Sequence, residues 1–162
     1  MPLPSTLTPI ATNTLSSATA SVTFSNLPQG YTDLVVVING STTVDENYLL
    51  RFNSDTGSNY SDTRITGNGT SAASERASNA TYIRFTAGTH TNTGVFIVHI
   101  QNYSNSTTYK TILSRHNIAA SNVGAYVGLW RNTNAITTIT IFTSSTTITS
   151  GSTFTIYGVK AA

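Results

Sequence analysis

Tyr31-Thr32-Asp33-Leu34-Val35-Val36-Val37-Ile38-Asn39-Gly40 is the stretch on which the reading of the fold turns. Four of its five consecutive apolar residues are β-branched, which suits a pleated strand better than a helix. With no polar residue inside the run, it reads as a central strand covered on one face and largely covered on the other. Asn39-Gly40 is expected to turn the chain, since both residues tolerate positive φ. A second apolar segment follows, Tyr48-Leu49-Leu50-Arg51-Phe52, which breaks at Asn53 to Asn59 with a reversal at Asp55-Thr56-Gly57. Tyr60 to Thr66 then runs back.

Working outward, Val22, Phe24 and Leu27 alternate with polar residues and read as a half-buried strand. Later strands are expected at Tyr82–Phe85, Val95–Ile100, Tyr109–Leu113, Val123–Trp130, Ile136–Phe142 and Thr153–Val159. Residues 67 to 80 show no strong apolar period and read as a long loop with one helical turn around Ala72 to Ala77. No connection carries the amphipathic helix that a parallel crossover would use. About ten strands separated by Ser, Gly and Asn turns predict an all-β, antiparallel two-sheet β-sandwich, jelly-roll-like in type.

The domain is expected over 20–162. Residues 1–19, with Pro2, Pro4 and Pro9 among Ser and Thr, read as an extended N-terminal arm. That arm is either a loose terminus or a segment that docks on a neighbouring subunit.

The 162-residue length suits one domain with a real core. Only 9% of residues are charged, against about 25% in an average chain. Thr, Ser and Asn make up about two-fifths of it. Eight Tyr, six Phe and 38% hydrophobic residues argue against disorder. A surface so poor in charge suggests one partly covered by partners. The net charge of +2 rests on eight scattered basic residues, so no basic cluster exists to track phosphates and no nucleic acid is expected as partner. There is no cysteine, hence no disulfide and no thiolate site. Neither a signal peptide nor a membrane-spanning stretch is read in the sequence, which points to assembly in a cytoplasm and away from membranes.

The candidate chemistry is sparse. Asp55-Thr56-Gly57-Ser58 matches the Asp-Thr-Gly of aspartic proteases, but Asn53-Ser54 precedes it where that dyad needs apolar residues. A solvated turn is the expected role. Asn53, Asp55, Asn59 and Asp62 offer oxygens to calcium, without the spacing of an EF-hand, and Asp45-Glu46 adds acid nearby. His90, His99 and His116 have no spacing that gathers them into a zinc site. Trp130 and the tyrosines raise the possibility of stacking on sugar rings, with core or subunit interface as the simpler role for Trp130. No catalytic, cofactor-binding or metal residue is assigned, and no enzymatic activity is expected.

Three segments carry a resemblance. Thr32-Asp33-Leu34-Val35-Val36, Leu50-Arg51-Phe52-Asn53-Ser54-Asp55-Thr56-Gly57-Ser58-Asn59-Tyr60-Ser61 and Gly151-Ser152-Thr153-Phe154-Thr155-Ile156-Tyr157-Gly158-Val159-Lys160 resemble small structural proteins of tailed bacteriophages, notably phages of cyanobacteria and other aquatic bacteria. The likeness runs from about Ser21 to the C-terminus. It implies a virion protein assembled in host cytoplasm. One expected role is capsid decoration or cement, bound to the major capsid protein. The alternative is a tail-fibre or adhesin module that binds host-surface glycan.

A last expectation concerns assembly. Val35 and Val37 point opposite to Leu34, Val36 and Ile38, and Val95 and Ile97 opposite to Phe96, Val98 and Ile100. A sandwich covers only the inner face of each sheet, so the outer apolar residues call for a second subunit, in a homo-dimer or homo-trimer.

Overall fold

The computed structural model describes residues 6–86, 91–118 and 120–160. Twelve strands and no helix occur among them: Leu7–Thr14 (β1), Ser21–Phe24 (β2), Asp33–Gly40 (β3), Leu49–Phe52 (β4), Tyr60–Gly67 (β5), Ala72–Ala80 (β6), Ile83–Arg84 (β7), Gly94–Gln101 (β8), Lys110–Ile118 (β9), Asn122–Trp130 (β10), Ile139–Phe142 (β11) and Thr153–Val159 (β12). Every pairing is antiparallel. One sheet has eight strands in the order β1-β12-β3-β8-β9-β10-β5-β6, the other four in the order β2-β11-β4-β7. The all-β, two-sheet sandwich expected from the sequence is therefore the architecture observed.

The pleat sorts the side chains. Leu34, Val36 and Ile38 of β3 are fully buried, as are Phe96 and Ile100 of β8 and Phe154 and Ile156 of β12. Facing them from the smaller sheet are Val22, Phe24, Leu50, Phe52, Ile83, Ile139 and Ile141. Tyr48 fills the centre, with Phe96 and Phe154 set edge-on to its ring at 5.1 and 6.4 Å between centroids. At one end Trp130 packs on Phe52 and Tyr60. Fully buried Lys110 closes that region, its Nζ donating to the carbonyls of Thr108 and Thr133 at 2.7 and 2.9 Å.

Three segments differ from the sequence reading. Residues 72–80 form strand β6, paired with β5, instead of a loop with a helical turn. Alternation was unreadable there because β6 is an edge strand with almost every residue exposed. Residues 7–14, inside the segment read as an arm, form β1 and pair with β12 from Leu7↔Val159 to Thr14↔Thr153. Pro9 is tolerated because the strand lies on an edge, where a missing donor is cheap, and a register shift between Pro9 and Ala11 absorbs the misfit. Asn39-Gly40 is not a tight turn: neither residue has positive φ, and β3 runs through Gly40. Glycine is needed there because a Cβ would lie 2.8 Å from Ser152. The reversal after Phe52 does use positive φ, at Asn53 and Ser54.

Eight strands face four, so the smaller sheet ends at β7 and leaves part of the larger one without an apolar partner. The inner face of β5, β9 and β10 is polar in that region. Asp62, Arg64, His116 and Tyr126 are buried on it. The backbone N–H of Arg84, on β7, donates to Asp62, whose carboxylate also lies 3.7 Å from the Arg84 guanidinium, while Arg64 pairs with Glu75 of β6. Burial raises the Asp62 carboxyl, and Arg84 offsets only part of that.

Candidate functional site

Most of the exposed large apolar side chains of the described residues gather on the outer face of the eight-stranded sheet. Register puts its outward side chains in rows. Val37, Ile97, Arg115, Ala125 and Ile65 lie across β3, β8, β9, β10 and β5 in one row. The next row carries Tyr157, Val35, His99, Leu113 and Val127, and on the other side of the first lie Asn39, Val95, Asn117 and Val123. Eight large apolar side chains are exposed among the described residues, and six of them stand on this one face: Leu7, Ile65, Val95, Leu113, Val123 and Val127. Ile65 is 62% exposed and Val123 59%. Scattered exposed apolar residues are ordinary, but a contiguous field of them marks an interaction surface.

Charge on the face is confined to a few positions. Arg115 stands inside the apolar field, Asp33 at one end of β3 and Arg76 on edge strand β6. Asp33 accepts a 2.7 Å hydrogen bond from the backbone N–H of Asn102. The two ion pairs among the described residues, Arg64–Glu75 and Arg84–Asp62, leave Arg115 without one. Arg115 borders three shallow depressions on this face, of about 710, 430 and 150 Å³. The largest lies over Ile65, Ala73, Val123 and Ala125; the second holds Asp33, Val35, Val37 and Ile97 together with Arg115.

The residues singled out for chemistry are tied into the scaffold. Asp55 Oδ2 accepts from Trp130 Nε1 at 2.7 Å and from Asn59 Nδ2 at 2.9 Å, and Oδ1 accepts from the backbone N–H of Gly57 at 2.8 Å. Burial pushes the Asp55 carboxyl up, but these three donors together outweigh it and hold the group below the usual carboxylate value. Such a carboxylate is a fixed acceptor that pins a loop to the core, the turn role expected of it. The oxygens weighed for calcium do not converge. Asn53 Oδ1 accepts from the backbone N–H groups of Thr137 and Thr138, Asp62 faces the sandwich interior, and Glu46 binds Ser144 and Ser145 across two loops. Among the described residues no three His, Asp or Glu side chains gather as metal ligands. His99 lies on the outer face. His116 is buried between Phe96 and Tyr126 with Asn122 2.7 Å from its Nε2, and burial lowers its imidazolium. His90 falls outside the described residues.

The aromatic residues weighed for sugar stacking are mostly inside. Trp130 is 1% exposed, and Tyr48, Tyr60, Tyr103 and Tyr126 are fully buried. Trp130 takes its simpler role, in the core. Tyr60 shows how deep these rings sit: burial pushes its phenol up to about 12, while its hydroxyl donates to the carbonyl of Phe52.

The sequence located part of the outer face, through Val35, Val37, Val95 and Ile97. It missed Ile65, Leu113, Val123 and Val127. Their signal was present as apolar residues on both parities of one strand, as in Ile112-Leu113 and Tyr126-Val127, once the register of β9 and β10 is known. The sequence matches no family model and no curated protein.

Proposed function

We propose that this chain is a non-enzymatic structural protein of a tailed-bacteriophage virion, a decoration or cement protein that joins the outside of the capsid through the major capsid protein and stabilises contacts between capsomers. The observation that carries the reading is the apolar outer face of the larger sheet, on a chain with only 9% charged residues. A surface of this kind belongs to a protein that works covered, inside an assembly. The resemblance of the Thr32, Leu50 and Gly151 segments to phage structural proteins names the assembly.

Topology supports the reading as well. If the hairpins β5-β6 and β9-β10 are taken as insertions, the remaining strands form two four-stranded sheets, β1-β12-β3-β8 and β2-β11-β4-β7. Each strand of that set is followed in the chain by one in the other sheet, except that β4 is followed by its own neighbour β7. That arrangement is compatible with a jelly roll, a fold recurrent in capsid proteins. Fold alone does not assign a role, so this adds weight only beside the surface.

Such a protein acts by mass action: binding the assembled shell and not its parts stabilises the shell. The tail-fibre alternative loses its main motivation with Trp130 in the core. Immunogold labelling of purified phage particles with antibody to this chain tests the proposal. Label over the capsid is expected; label confined to the tail, or absent, overturns it.

A further inference from the structure

The outer face of the larger sheet carries both halves of an ion pair, too far apart in the register to meet within one chain. Arg115, in the apolar field on β9, has no ion-pair partner among the described residues. Asp33 is the carboxylate of the same face, two strands away on β3, and uses one oxygen for Asn102. Both rim the 430 Å³ depression floored by Val35, Val37 and Ile97. A guanidinium buried under a partner without an acceptor is strongly unfavourable, so whatever covers this face must bring acceptors to Arg115, and a carboxylate also neutralises its charge.

We infer that the cover is a second copy of this chain, packed face to face about a two-fold axis, with Arg115 of each copy paired to Asp33 of the other. In an isologous interface residue i meets residue j and j meets i, so Arg115 and Asp33 of each face form two pairs and leave neither unmatched, while Arg76 stands on edge strand β6 at the rim of the face. The area fits too. Eight strands about 4.8 Å apart, each contributing some seven residues at about 3.3 Å, make a face of roughly 900 Å², close to the roughly 800 Å² per partner of a standard specific interface. An apolar field with an arginine inside it is also the composition at which binding energy concentrates. This inference rests on the reading that the face is covered in the working assembly, and it names the cover.

The test is solution mass. Light scattering behind size exclusion on the purified chain, at about 100 μM so that mass action favours association, is expected to give twice the chain mass of 17.2 kDa. Arg115→Asp and Asp33→Arg should each weaken the dimer by roughly 100-fold or more, because like charges then meet at the buried pair. The double variant R115D/D33R restores opposite charges and should recover the dimer. Asp33→Asn, which keeps an acceptor for the Asn102 N–H, guards against a fold defect at that turn and should still weaken dimerisation. A monomeric or trimeric parent, dimeric single variants or a double variant that stays monomeric each overturn the proposal. A monomer that nonetheless labels capsids sinks the dimer and spares the virion reading; a charge-dependent dimer absent from phage particles does the reverse.

Discussion

Replacing Asp55 by alanine removes one carboxylate and three hydrogen bonds, and the cost follows from where each donor sits. Trp130 is 1% exposed, so its indole N–H is left buried without an acceptor, at about 1–3 kcal/mol. Asn59 and Gly57 lie in a loop open to solvent, where water replaces the lost acceptor, and together add about 1 kcal/mol. A total of roughly 2–4 kcal/mol in a domain of this size lowers the melting temperature by roughly 5–15 °C. Far-UV circular dichroism follows the whole sandwich. Trp130 is the only tryptophan, so its fluorescence reports the same site locally. Asp55→Asn retains an acceptor oxygen for the indole and should lose less than half as much.

The pH dependence has a definite sign. The folded Asp55 carboxyl lies below its unfolded value, so its stabilisation is complete above the unfolded value, near ~3.9, and is lost as pH falls through the folded one. The stability gap between the parent and Asp55→Ala should therefore be flat near neutrality and shrink below about pH 4. A variant melting within about 1 °C of the parent, or a gap that widens on acidification, refutes the reasoning.

Gly158→Ala places a Cβ about 2.4 Å from Cγ of Tyr31, whose ring lies over the glycine, and should cost about 1–3 kcal/mol in chemical denaturation. Tyr31→Ala in the same background should relieve part of that cost, making the double variant less destabilised than the sum of the singles. Removing residues 1 to 14 strips β1 from β12 and takes away Ile10 and Ala11, which pack against the core, with a loss of roughly 3 kcal/mol or more and soluble aggregates in light scattering. Leu113→Thr and Val127→Thr lie on the outer face and should shift monomer stability by less than about 0.5 kcal/mol, as read by urea denaturation of dilute protein.

What was legible in the sequence follows from where alternation survives. Leu34 to Ile38 and Val95 to Ile100 read as strands because they are central, with both faces apolar. Asp33 to Val37 and Val95 to Ile97 already implied an outer surface that a two-sheet sandwich cannot cover alone. Strands β1 and β6 were not legible, because an edge strand is held by backbone pairing with one neighbour, and Ala72-Ala73-Ser74 or Thr12-Asn13-Thr14 carry no burial pattern to betray it. Asp62, weighed as a calcium ligand, occupies the interior together with Arg64. Their burial depends on the smaller sheet stopping at β7, a tertiary fact with no local signature. Asp55 matched a catalytic motif by three letters, and only the indole of Trp130, far along the chain, fixes its role as a structural acceptor.

Strand β12 lies between β1 and β3, yet it is the last of the described strands to leave the ribosome. Until then β3 has β8 on one side and an open edge on the other, and β1 has nothing to pair with. At about 5–20 residues per second, more than a hundred residues of synthesis separate the two strands, an interval on the order of ten seconds. Over that time Leu34 to Ile38 present an unpaired, largely β-branched edge to every other nascent copy. A chain cut short before Thr153 has no route to closing the larger sheet and is expected in the pellet. The larger sheet is closed late, when one seven-residue strand joins β1 to β3.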